Sequence, residues 1–96
     1  MDEQVTRLKN WVSHGTMRQF YTEMQAKLAD TEYTVELLGD TVTFYRVRKE
    51  GGFLGLFARR VREKLLQISR QDDQIVIAEG ANPEFIEYVN SLLKQH

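Results

Sequence analysis

The chain has no cysteine, a single proline and only two histidines. Without thiols, disulfides, thiolate nucleophiles and cysteine-ligated zinc or iron–sulfur centres are all excluded. No repeat, low-complexity tract or linker divides the 96 residues, which read as one domain. No apolar run approaches the roughly 20 residues that a membrane span requires. The opening "MDEQVTRLKN" is acidic and amphipathic, lacks an apolar h-region and does not read as a signal peptide. These absences together set the expectation of a cytoplasmic protein.

What is present is the composition of a globular domain, 42% hydrophobic and 28% charged. A chain of this size buries roughly 60–70% of its unfolded surface, enough for a modest core. The net charge of −1 conceals a segregation. Residues 1–45 carry four basic side chains against seven acidic ones, and residues 71–96 carry one against five. Residues 46–70 carry eight, Arg46, Arg48, Lys49, Arg59, Arg60, Arg62, Lys64 and Arg70, against Glu50 and Glu63. Such asymmetry points to a partner, or to pairing of the basic segment with the acidic ends inside the fold.

Periodicity places helices at both ends. Val5, Leu8, Trp11 and Val12 recur at helical spacing, Gly15 suits a helix C-terminus, and Thr16 with Gln19 forms a capping-box pattern for a second helix or a kinked continuation. Met17, Phe20, Tyr21, Met24 and Leu28 line one side of that second segment. Near the C-terminus, Asn82 can cap, Pro83 suits the first helical turn, and Phe85, Ile86, Val89, Leu92 and Leu93 form an apolar stripe.

Between the helices the pattern alternates. A two-residue turn at Gly39-Asp40 sets Leu37 opposite Val42 and Val35 opposite Phe44 on one face, with Glu36 and Thr43 on the other. A second turn at Asp72-Asp73 pairs Ile68 with Ile77 and Arg70 with Ile75. The predicted fold is α+β: an N-terminal helical arm, a four-stranded antiparallel meander and a C-terminal helix on one sheet face. The alternative concerns residues 54–68. Phe53, Leu54, Phe57, Val61, Leu65 and Ile68 fall within a roughly 120° helical arc, which would pair Arg59 with Glu63. Gly51, Gly52 and Gly55 disfavour that helix, so a loop followed by a strand is expected.

The sequence carries no catalytic, cofactor or metal constellation, and a non-enzymatic protein is the expectation. Ser13 and His14 are neighbours in sequence, which is not the geometry of a nucleophile and its base. His96 is terminal, and Asp72-Asp73 reads as turn chemistry. "EGGFLG" lacks the lysine and hydroxyl of a phosphate loop.

The stretch "GGFLGLFARRVR" stands apart, with Phe53, Leu54, Leu56 and Phe57 followed by Arg59, Arg60 and Arg62. Aromatic residues and arginine are enriched in binding hot spots, and an exposed apolar loop marks a contact site. The expected function is therefore a protein-protein contact or self-association, a homodimer included. It would run through residues 46–64, with Arg46 and Arg48 contributing. The same residues also fit a nucleic-acid interface, in which phenylalanines stack on bases. They equally fit an apolar wedge with a basic collar on an anionic membrane.

Overall fold

In a computed structural model of the chain, residues 2–50 and 59–94 are described, with residues 2, 49, 50, 59 and 60 followed through the backbone alone. Gly39 takes φ +59°, and only the first residue of its two-residue turn is left-handed, the pattern that calls for glycine at that position. The turn joins β1 (Tyr33–Leu38) to β2 (Thr41–Glu50) with Leu37 opposite Val42 and Val35 opposite Phe44, as the alternation predicts. At the other hairpin Asp72 and Asp73 both adopt positive φ, joining β3 (Arg59–Gln71) to β4 (Gln74–Ile77) with Ile68 opposite Ile77. The strands form an antiparallel sheet in sequence order, β1-β2-β3-β4.

The choice between strand and helix for residues 54–68 is settled from Arg59 onward: that stretch is strand. Its nine cross-strand pairs with β2 supersede the helical stripe, and Glu63 lies opposite Arg46 rather than beside Arg59. Phe53, Leu54, Leu56 and Phe57 lie outside the described residues.

The N-terminal segment is two helices, α1 (Asp2–Ser13) and α2 (Met17–Lys27). Thr16 Oγ1 accepts from the Gln19 N–H at 3.0 Å, and Gln19 Oε1 accepts from the Thr16 N–H at 2.8 Å, closing the capping box. A Cβ at Gly15 would come within 2.5 Å of that Gln19 oxygen, so glycine makes room for the cap. The C-terminal helix α3 (Pro83–Lys94) starts where Asn82 Oδ1 accepts from the Phe85 N–H at 3.0 Å. The Asn82 N–H in turn donates to the Leu65 carbonyl at 2.8 Å, tying the helix start to β3.

All three helices contribute to one core against one sheet face. Leu8 and Val12 of α1, Met17, Phe20 and Met24 of α2, and Phe85, Ile86, Val89 and Leu93 of α3 are buried with Val42, Phe44, Leu66 and Ile68 of the sheet. Val35, Leu37 and Ile77 face the same way but are only half-buried, because they sit on the outer strands. The arm expected at the N-terminus is thus part of the core. β2 and β3 run past the ends of β1 and β4, so Val47–Glu50 and Arg59–Lys64 form a ribbon beyond the four-stranded body.

Candidate functional site

Leu65 has no partner on β2: Phe44 lies opposite Leu66 and Tyr45 opposite Lys64. This bulge shifts the pairing by one residue and exchanges the faces of β3 between its two halves. Had the register through Phe44–Leu66 run on, Arg46 would stand opposite Lys64 and Arg48 opposite Arg62, a ladder of like charges. With the bulge, Arg46 faces Glu63 and Arg48 faces Val61.

The arginines are therefore gathered on one ribbon but divided between its faces. On the helix-side face, Glu63 Oε1 lies 3.6 Å from Arg46 Nη1 and 3.5 Å from Arg48 Nη2, while Glu32 Oε1 lies 4.0 Å from Arg46 Nε. The Arg46 guanidinium also stands 5.6 Å from the Tyr33 ring centre. Arg46 Nε and Glu63 Oε1 are shut off from solvent without completing a hydrogen bond, so charge rather than aligned donors holds this cluster. The rest of these side chains reaches water, which makes each pair weak.

On the opposite face, Arg62 Nη1 donates to Glu36 Oε2 at 2.8 Å, and its guanidinium lies 4.0 Å from the centre of the Tyr45 ring. Contact with Tyr33, then the charges of Glu32 and Glu63, hold the Arg46 guanidinium above its ordinary pKa. The hydrogen bond to Glu36, then Tyr45, does the same for Arg62. Tyr45, Val47, Arg62 and Lys64 share this face, which carries no helix among the described residues.

Arg59 and Arg60 lie at the far end of β3, opposite Glu50 and Lys49. The acidic partners expected from the chain ends are only partly those found. Glu32 and Glu36 come from the N-terminal part and Glu63 from β3 itself, with none from residues 71–96 among the ion pairs of the described residues. Arg70 serves the fold instead: its Nη2 donates to the Gly15 carbonyl at 2.7 Å, clamping β3 to the α1–α2 junction.

Ser13 Oγ donates to the Asn10 carbonyl at 2.8 Å, and His14 Nδ1 contacts that same carbonyl, so both side chains face α1's last turn rather than each other. Among the described residues no group of three or more histidine, aspartate or glutamate side chains converges. No described helix is long and apolar enough to cross a membrane.

Three participants escape a reading of the sequence. Glu36 and Tyr45 could be placed on one face by alternation with Thr43, but their junction with Arg62 depends on the bulge. Asn90 is buried and donates Nδ2 to the Gln4 carbonyl at 3.0 Å and to Gln4 Oε1 at 3.1 Å, bridging α3 to α1. Comparison of the chain with protein-family models, curated proteins and solved structures gives no match in any of the three.

Proposed function

We propose that this domain works by contact with another polypeptide, through the β2–β3 ribbon and its connecting segment, residues 46–64. The observation that carries this reading is the Glu36–Arg62–Tyr45 stack on the uncovered sheet face. An arginine already fixed over a tyrosine loses little side-chain freedom when a partner covers it, and tyrosine and arginine are the residue types that dominate protein interfaces. Val47 beside them supplies apolar area, and Phe53, Leu54, Leu56 and Phe57 lie in the segment joining the two strands.

Nucleic-acid or anionic-membrane binding through the same residues is less well supported. Arg46, Arg48 and Arg62 each have a carboxylate within 4.0 Å, so phosphate would have to displace an existing partner at these three. The overall sequence pI near 6.1 also opposes phosphate.

A photoreactive residue at position 47, on the open face, tests the proposal when introduced in the cell that makes the protein. A polypeptide adduct, lost on Tyr45→Ser or on F53S/F57S, is the expected result. An adduct to nucleic acid or lipid, or no adduct, would overturn it. Purified protein titrated with a single-stranded oligonucleotide at rising salt supplies the control, since phosphate binding weakens steeply with salt.

A further inference from the structure

We infer that the outer edge of β1 pairs with the same edge of a second copy, making a two-fold dimer whose sheet runs continuously through both. The hydrogen-bond phase of the sheet fixes which groups are available. The Val47 N–H donates to the Glu32 carbonyl at 2.8 Å and the Arg70 N–H to the Asp40 carbonyl at 3.1 Å. Bonded pairs alternate along antiparallel strands, so Thr34, Glu36 and Leu38 bond to β2, while Tyr33, Val35 and Leu37 point their backbone groups outward. Thr31 Oγ1 accepts from the Tyr33 N–H at 3.2 Å and so occupies the first outward donor. The N–H and C=O groups of Val35 and Leu37 remain, with no strand beside them among the described residues.

The two edges of the sheet are treated differently. At the far edge β4 is only four residues long, and beyond it the free edge of β3 carries Arg59, Arg60, Arg62 and Lys64; short edge strands and charge both discourage strand addition. β1 has neither proline nor lysine, and its one charge, Glu36, is bound to Arg62. Its apolar side chains are unfinished too: Val35 and Leu37 are half-buried on the helix-side face, and Leu38, on the opposite face, is 76% exposed.

A second copy satisfies this edge because one register uses all the open groups at once. Val35 set opposite Leu37 of the other copy, with the reciprocal pair across the two-fold axis, forms four backbone hydrogen bonds and buries both side chains on the helix-side face. Thr34 then faces Leu38 of the other copy. The axis passes between the two Glu36 residues, a like-charge contact made tolerable because each carboxylate holds its own Arg62. The contact is smaller than the roughly 1,200–2,000 Å² of stable interfaces, so the dimer is weak and its assembly depends on concentration.

Sedimentation equilibrium of the whole chain from micromolar to millimolar concentration, beside amide exchange at both limits, tests this. The expected result is a monomer–dimer equilibrium with the Val35 and Leu37 amides protected only at high concentration. T34K/L38K replaces two exposed side chains and sets like charges across the register. It should remain monomeric with an unchanged melting temperature. Arg62→Ala should weaken the dimer about tenfold or more by leaving two bare carboxylates opposed, and E36Q/R62A should restore it; a strand other than β1 would not respond in this way. A monomer at millimolar concentration overturns the inference, as does a dimer that survives T34K/L38K. A dimer lost on Tyr45→Ser but indifferent to T34K/L38K assigns self-association to the ribbon instead.

Discussion

The ring of Phe44 lies 5.4 Å from that of Phe85, joining the centre of the sheet to the C-terminal helix. Phe20 of α2 approaches the same ring edge-on at 6.0 Å, and Phe44 is wholly buried. One side chain thus contacts two of the three helices. Phe44→Ala is expected to cost about 3–5 kcal/mol, read from urea unfolding with the slope unchanged. A cost below about 1 kcal/mol would contradict the packing described.

Asn82 has two duties, capping α3 through its side chain and anchoring it to β3 through its N–H. Asn82→Ala removes only the first and should lower stability by about 1 kcal/mol, whereas Asn82→Asp should retain most of it. Equal losses for both would show that the cap contributes nothing.

Local chemistry made much of this fold legible. Glycine at a left-handed turn, a Thr-x-x-Gln cap and an Asn-Pro helix start act within four residues, and each appears as read. The two hairpin registers follow because alternation and turn length agree independently. The bulge at Leu65 was not legible, since it depends on which ribbon face must meet Tyr33, Arg46 and Arg48 across another strand. Its trace in the sequence is the adjacent pair Leu65-Leu66, both buried where alternation allows one. For the same reason the arginines could be counted together but not assigned to faces.

The Asp72-Asp73 turn carries a backbone cost that composition does not reveal. Both residues are left-handed, at φ 50° and 65°. Asp73→Gly should raise stability by a few tenths to about 1 kcal/mol, and Asp72→Ala should lower it by about 1 kcal/mol. The sequence alone reads Asp72 as turn chemistry and attaches no backbone cost to it. Thermal melts resolve the difference, since about 1 kcal/mol moves the midpoint of a domain this size by roughly 4–8 °C.

Leu65 allows the packing of its side chain to be separated from the bend of the bulge. Leu65→Ala should cost about 2–5 kcal/mol, as for other buried leucines. Removing the residue altogether leaves a regular ladder with the same pairs on either side, Phe44 with Leu66 and Tyr45 with Lys64, so it should cost about as much as Leu65→Ala. A deletion variant much less stable than Leu65→Ala would show that the bend imposed by the bulge, beyond the buried side chain, supports the fold.

The same bulge makes the two halves of the hairpin answer to different selective demands. On the body side, any change at Val42, Phe44, Leu66 or Ile68 is constrained by the volume of the core. On the ribbon side, Tyr45, Val47, Arg62 and Lys64 owe nothing to that volume and answer only to charge and to whatever they meet. Mutation can therefore rewrite this exposed face while the core stays fixed, so descendants of this chain are free to keep one scaffold and change what the face presents.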